Sequence, residues 1–276
     1  MSKILITGGS GYIAEFLRIK LLDAKHNVCA QFHKDLDITN YNQIKGLLEN
    51  GQFDYVIHTA IQGNGKKDDK INYFYNNLLM VENLLSLSNK YSKLILFDSG
   101  AAFDRRYNIF NRVENDFRTV PVDFYGLAKY INTKRSYGNN KVVNLRLFNV
   151  FGPKERGFRF VKACISKCIK NEDIHIFNDI FFSFFYIEDL FTVINHLIEN
   201  PPSDYYELNC VYPEAWVLAA TAHLIKLITK SESNIIVDKI SNLNYHGNGN
   251  KLHSIGLNLK GLMIGLEEVF IENKNL

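Results

Sequence analysis

A phenol and an ammonium four residues apart on a helix share one face, and the ammonium favours the phenolate, which brings proton exchange with a nearby oxygen within a tyrosine's reach. Tyr-x-x-x-Lys occurs four times in this chain, at Tyr41/Lys45, Tyr125/Lys129, Tyr130/Lys134 and Tyr137/Lys141. In a chain with 15 Tyr and 32 Lys plus Arg, at least three of these are accidents of composition, so spacing alone selects none. Position in the chain does. Ser99 follows the apolar run Leu94 to Asp98, and Tyr125 opens the next long helical segment, so hydroxyl, phenol and ammonium meet where a strand end faces a helix start. Tyr41 lies in an earlier segment, and Tyr137 runs into Gly138, Asn139 and Asn140. Ser99, Tyr125 and Lys129 are therefore the candidate catalytic set for carbonyl reduction or alcohol oxidation.

A second constellation stands at the N-terminus, where Ile4-Leu5-Ile6-Thr7-Gly8-Gly9-Ser10-Gly11-Tyr12-Ile13-Ala14 puts a strand, a glycine turn and a helix start in succession. Gly8 permits the turn, Gly11 lets the backbone approach a pyrophosphate, and Ala14 lets the helix pack on its strand. The helix start then offers its N–H groups to phosphates, which predicts dinucleotide binding at Gly8, Ser10, Gly11, Tyr12 and Ile13. An acid some 20 positions on ordinarily holds the ribose of NAD. Here Gln31, Phe32, His33 and Lys34 occupy that place, with no carboxylate before Asp35. His33 and Lys34 suit a 2′-phosphate, so NADP is expected ahead of NAD.

These residues need a scaffold, and the sequence predicts one. Short apolar runs at Ile4–Thr7, Asn27–Phe32, Tyr55–Thr59, Leu94–Asp98 and Val142–Leu147 alternate with helical segments near 12–24, 41–49, 71–89 and 123–137. That alternation predicts an α/β fold with a Rossmann-type doubly wound parallel sheet. Residues 1–150, with a later contribution from about 183–200, are expected to form the dinucleotide-binding domain. Residues 151–182 and 201–276 are expected to form a smaller C-terminal substrate-binding lobe. Composition is that of an ordinary globular chain, with 46% hydrophobic and 22% charged residues. A net charge of +3 without a basic block gives no reason to expect nucleic acid or a membrane as partner. No apolar stretch reaches the ~20 residues of a membrane span, and no signal peptide is evident, so a cytoplasmic protein is expected. Cys29, Cys164, Cys168 and Cys210 make no disulfide framework, and Cys164 with Cys168 lacks the further ligands of a metal site.

Further segments appear in a telling order: His58-Thr59-Ala60, Asn77, Phe97-Asp98-Ser99-Gly100-Ala101-Ala102-Phe103, Tyr125-Gly126-Leu127-Ala128-Lys129, Arg146-Leu147-Phe148-Asn149-Val150-Phe151-Gly152-Pro153 and Phe185-Tyr186-Ile187-Glu188-Asp189-Leu190. With the glycine turn, over roughly residues 1–200, they resemble the extended short-chain dehydrogenases, in the nucleotide-sugar epimerase, dehydratase and reductase branch of the NAD-dependent epimerase/dehydratase family. The resemblance implies that Tyr125 is the general acid or base, that Lys129 binds the nicotinamide ribose and tunes Tyr125, and that Ser99 hydrogen-bonds the reacting oxygen. It further implies that Thr59, Ala60 and Asn77 line the cofactor, that Asp37 and Ile38 flank the adenine, and that Asn149 reaches the sugar nucleotide.

Departures from the family narrow the reaction. The 4,6-dehydratases carry Thr-Asp-Glu where this chain has Ser99-Gly100-Ala101, so the acid and base for eliminating water are missing. Enzymes resembling GDP-fucose synthases use a Cys two residues after the Ser and a later His; here Ala101 stands in the first place, and no His lies between Phe151 and Ile174. The resemblance then leaves reduction of a nucleotide-linked 4-keto sugar by NAD(P)H, the favoured expectation, or a nucleotide-sugar 4-epimerase with tightly bound NAD. A redox-inactive dinucleotide-binding regulator is a lesser alternative. Where relatives carry Arg-Asp-Phe this chain has Phe182-Ser183-Phe184, so Arg156 and Arg159, with Lys154, are candidates to contact substrate phosphate. By the same resemblance, helices at 71–89 and 123–137 would pair two subunits into a homodimer.

Overall fold

The computed structural model describes residues 1–63, 69–241 and 243–274. The chain runs through β1 (Lys3–Thr7), α1 (Tyr12–Asp23), β2 (Asn27–Gln31), α2 (Tyr41–Gly51), β3 (Tyr55–His58), α3 (Lys70–Ser86), β4 (Lys93–Ser99), β5 (Ile109–Arg112), α4 (Phe124–Ser136), β6 (Val142–Leu147) and β7 (Val150–Phe151). It continues as α5 (Phe160–Ile169), β8 (Ile174–Ile176), β9 (Phe185–Tyr186), α6 (Ile187–Glu199), β10 (Tyr206–Cys210), α7 (Leu218–Thr229), β11 (Ile235–Val237), β12 (Tyr245–Gly247), α8 (Asn250–Ser254) and α9 (Gly261–Asn273). Two compact units result. The first comprises Met1–Asp104, Phe117–Arg146 and Val193–Leu208, and the second comprises Arg105–Asp116, Leu147–Thr192 and Asn209–Leu276.

In the first unit a six-stranded sheet has the order β10-β6-β4-β3-β1-β2. Its pairings of β1 with β2, β1 with β3 and β3 with β4 are parallel, with Ile4 opposite both Val28 and Tyr55. Ile4, Leu5, Ile6, Val56, Ile57, Leu94 and Ile95 are wholly buried, as strands covered on both faces require. Ile44 and Leu48 of α2 and Leu84 of α3 pack with Leu5, Val56 and Leu94 in one core. The chain passes from β1 to β2 on one side and to β3 on the other, which opens a crevice beyond the carboxyl ends of β1 and β3. The five strands and four helices expected here are all present, and the α/β class with a parallel central sheet stands.

The second unit is built from long-range parallel pairs, β5 with β12, β7 with β9, and β8 with β11. Asp189 accepts the backbone N–H groups of Lys260 at 2.8 Å and Gly261 at 2.9 Å, which pins the start of α9. Cys164 and Cys168 are both buried on α5, consistent with packing. The division differs from the expected boundaries. Residues 105–116, 147–150 and 183–192 fall in the second unit, the first of these because β5 pairs with β12, and the sheet of the first unit takes its sixth strand from β10, a segment for which no strand was expected. Among the described residues, no helix is long and apolar enough to cross a membrane.

Candidate active site

The glycine turn is wedged between two strand ends. Gly8 sits at φ 75°, and a Cβ there would lie 2.7 Å from the Cα of Ala60, just beyond β3. Gly9 donates its N–H to the Gln31 carbonyl at the end of β2 at 2.8 Å, and a Cβ on it would lie 3.1 Å from that oxygen. Any larger residue at Gly8 is strained twice, by its backbone angle and by collision. Helix α1 then begins at Tyr12 with no side-chain cap, so its first N–H groups point at whatever occupies the crevice. A cavity of about 580 Å³ opens there, bordered by Gly8, Ser10 and Gly11 of the turn and by Thr59 and Ala60 after β3. A backbone-lined floor at an uncapped helix start suits a dinucleotide diphosphate.

The far end of the cavity brings together His33, Asp37 and Ile38. Lys34 lies on an adjoining hollow of about 550 Å³, shared with Gln31, His33 and Gln43 and with the acids Asp35 and Asp37. Asp37 uses Oδ1 to accept from the Thr39 N–H at 2.9 Å and the Thr39 hydroxyl at 2.7 Å, closing the turn into α2. Tyr12 and Ile13 form the first turn of α1 and do not border the cavity, so the structure leaves them only backbone N–H groups to offer a phosphate. Sequence reasoning missed Gln31 and Gln62 as wall residues; Gln31 was findable, because it ends β2, where the ribose-binding acid ordinarily stands.

The candidate proton-transfer residues lie on β4 and α4. Ser99 ends β4 and caps a short 3₁₀ turn, Gly100–Phe103, its Oγ accepting the Ala101 N–H at 3.2 Å. Helix α4 is seated on that turn: a Cβ on Gly126 would come within 2.7 Å of the Ala101 carbonyl, so only glycine lets the helix approach so closely. Asp123 caps α4 by accepting the Gly126 N–H at 2.9 Å. Lys129 donates to the Phe97 carbonyl of β4 and places its Nζ 6.0 Å from the Tyr125 ring centroid. Tyr125 and Lys129 share one narrow recess with Asn77, His58 and Ala60, and Ala60 also walls the dinucleotide cavity. Asn77 reaches this recess through the loop: its amide donates to the Gln62 carbonyl at 2.7 Å and accepts the Gln62 N–H at 2.8 Å, bracing the segment after β3.

His58 is buried against the Thr7 hydroxyl, 2.8 Å from Nδ1. Burial, and then the charge of Lys129, push its pKa down to about 3, so it is neutral at physiological pH and adds no cation beside the recess. The competing Tyr-x-x-x-Lys pairs are placed differently. Lys134 stands over the rings of Phe117 and Tyr130, Lys141 donates to the carbonyls of Ser88 and Tyr91, and Tyr41 is at the exposed start of α2.

The substrate-side candidates belong to the second unit. Asn149 is buried between β6 and β7, its carbonyl accepting the Phe185 N–H at 2.8 Å. Arg156 is exposed, and Arg159 is half-exposed with Nε 3.2 Å from Glu155 Oε2. Burial pushes the Glu155 carboxyl up to about 7 although Arg159 pulls it down. Where relatives carry Arg-Asp, Phe182 and Ser183 stand, and Ser183 Oγ lies 2.7 Å from Nδ1 of buried His246. Neither Glu155 nor His246 carries a motif that could have marked it.

Residues 4–209 match the NAD dependent epimerase/dehydratase family. The ADP-L-glycero-D-manno-heptose-6-epimerase of Brachyspira hyodysenteriae is 24% identical, over 83% of this chain and 82% of that protein. Among solved structures, a GDP-mannoheptose C4 reductase from Campylobacter jejuni with NADP bound superposes with a TM-score of 0.80 at 19% identity, covering 99% of this chain and 98% of that one. The UDP-glucose 4-epimerase of Thermotoga maritima with UDP-glucose superposes at 0.79 and 20% identity, with 99% of each chain covered. At such identities these two structures speak for the fold. With three quarters of its length matched, the chain belongs to the NAD dependent epimerase/dehydratase family and is an NAD(P)-dependent enzyme of the extended short-chain dehydrogenase type.

Proposed function

We propose that the chain uses NAD(P)H, with NADPH preferred, to reduce the C4 carbonyl of a nucleotide-linked 4-keto sugar to the alcohol. The observation that carries this reading is the hollow beyond the end of β2, where His33 and Lys34 stand with Gln31 and Gln43 beside Asp35 and an Asp37 whose Oδ1 is taken up by Thr39. Polar and basic groups there favour a 2′-phosphate, and NADPH is the cofactor that arrives reduced and leaves oxidised.

The dinucleotide is held by the Gly8–Gly11 turn, the start of α1, Thr59 and Ala60. When bound, it supplies a hydride to the carbonyl carbon. The chain's own residues manage the oxygen. Ser99 hydrogen-bonds it, and Tyr125 delivers its hydroxyl proton as negative charge develops there. Lys129, fixed by the Phe97 carbonyl, keeps a positive charge beside the phenol, so the tyrosinate left behind is stabilised. His58, held neutral, does not compete with that charge. On the substrate side, Asn149, Arg156 and Arg159 are assigned to the sugar nucleotide.

Incubation with NADPH and a panel of GDP-, dTDP- and UDP-linked 4-keto-6-deoxy sugars tests the reading. One NADPH is consumed per sugar reduced; interconversion of 4-hydroxy epimers without net oxidation overturns it. That second outcome is the 4-epimerase reading. The same Ser, Tyr and Lys serve it by running the proton transfer in both directions. Assembly as a homodimer through α3 and α4 is supported by exposed Ile71, Tyr75 and Leu79, which share one face of α3. Light scattering at micromolar concentration gives twice the chain mass if the faces pair and the single-chain mass if they do not.

A further inference from the structure

Among the described residues, the bulkiest wholly buried side chain is a charged one. Arg146, at the end of β6, is 1% exposed, and its Nε donates to Asp98 Oδ2 at 2.7 Å. A second carboxylate, Glu207 of β10, lies 3.6 Å from its Nη2 and also accepts the Tyr205 hydroxyl. The guanidinium carbon lies 4.6 Å from the Phe103 ring centroid and 5.0 Å from that of Phe117, two rings that pack on each other at 5.1 Å.

Stability alone does not account for this group. Taking a guanidinium and a carboxylate out of water costs several kcal/mol per ion, and well-packed apolar replacements of such pairs are often neutral or stabilising. Asp98 Oδ1, moreover, is buried without a hydrogen-bond partner among the described residues, so the pairing is not even complete. What the arrangement does is geometric. Asp98 is the residue before Ser99, and Phe103 closes the turn that Ser99 caps. One planar cation thus grips the chain on both sides of the serine, by an ion pair in front and by a ring face behind. The same turn is the seat of α4 at Gly126, and α4 carries Tyr125 and Lys129.

We propose that Arg146 is a positioning residue for the reaction: through Asp98 and Phe103 it sets where the Ser99 hydroxyl stands relative to Tyr125. This rests on the reading that Ser99 binds the reacting oxygen, and the experiment separates the two. An uncharged network of similar shape, Arg146→Met with Asp98→Asn and Glu207→Gln, is compared with the native chain, with Ser99→Ala, and with all four substitutions together. Melting temperature, NADPH affinity by fluorescence, and NADPH oxidation with GDP-4-keto-6-deoxymannose and dTDP-4-keto-6-deoxyglucose are measured. The expected result is a melting temperature at or above native, unchanged NADPH affinity, and a kcat lowered about 10- to 100-fold, the loss typical of a group displaced by about 1 Å. Adding Ser99→Ala to the network variant then lowers kcat no further, because both changes act through one hydroxyl. A network variant with native kcat overturns the inference while Ser99→Ala alone still lowers kcat; losses that multiply overturn it too. If Ser99→Ala leaves kcat unchanged, the assignment of Ser99 fails and takes the inference with it. Should the network variant not fold, Arg146→Lys decides, since it keeps the charge without the flat cation against the Phe103 and Phe117 rings. The same fall in kcat with native NADPH affinity supports positioning, and native turnover overturns it.

Discussion

The two compact units are built on different sheet plans. In the first, one six-stranded sheet carries the buried polar pairs, His58 with Thr7 across β3 and β1 and Arg146 with Asp98 from β6 to β4. In the second, three separate two-stranded pairs leave polar contacts to loops and helix starts, as with Ser183 and His246 or Asp189 and Gly261, and Glu155 is buried with a half-exposed partner. The contrast teaches that one continuous sheet frames the first unit, whereas the second is assembled from short pieces joined by loops, where local variation is better tolerated.

The largest expected effect sharpens this division. Tyr125→Phe removes the proton donor and lowers kcat by about 10²- to 10⁴-fold, the usual range for a lost general acid. NADPH affinity, measured by fluorescence, remains native because the phenol lies beyond the glycine turn. Native turnover would instead favour a redox-inactive regulator. Next comes Gly8→Val, which combines a positive φ with a collision against Ala60. Strain of about 1–3 kcal/mol at such a position weakens NADPH binding by roughly 10- to 100-fold in calorimetry. Native affinity would show that the turn is not the cofactor's floor.

A smaller effect sets the two units against each other through pH. His58 of the first unit has a folded pKa of about 3 against an ordinary 6.5, so the unfolded chain binds the extra proton. Its stabilising share is full above pH 6.5 and is lost as pH falls toward 3. Glu155 of the second unit has a folded pKa of about 7 against 4.5, so the folded chain binds the extra proton. Its share is full below pH 4.5 and is lost as pH rises through 7. Between pH 5 and 6.5 the two slopes oppose one another. Glu155→Gln removes one of them, so the melting temperature of that variant rises more steeply with pH than the native one. Parallel curves would place Glu155 in a more solvated setting. The smallest effect is expected from Arg156→Ala, an exposed side chain in the second unit: KM for the sugar nucleotide rises a few-fold, by about 1 kcal/mol or less, with kcat unchanged. A fall in kcat would extend the catalytic machinery into the second unit.

How far the molecule was legible follows the same boundary. β1, the glycine turn and α1 could be read because each depends on residues within about a dozen positions, with apolar runs for strands and glycine for the turn. The places of Ser99, at the carboxyl end of β4, and of Tyr125, in the first turn of α4, were legible from the apolar run and the helical segment that carry them. The pairing of β5 with β12 brings Ile109 opposite Tyr245, and no local pattern announces a partner 136 residues away. Gly126 looked like part of a motif; only its closeness to the Ala101 carbonyl shows why it is glycine. Arg146 read as a motif residue too, and its role as a buried cation was invisible because Glu207 comes from a strand the pattern did not disclose.

The strap between Asn77 and Gln62 has a kinetic corollary. Since α3 already holds the wall beyond β3 in place, entry of the dinucleotide demands little rearrangement on that side. Cutting the strap with Asn77→Ala would leave that wall to be ordered during each encounter, so stopped-flow association would slow and saturate with concentration, while the same turnover at full occupancy would persist.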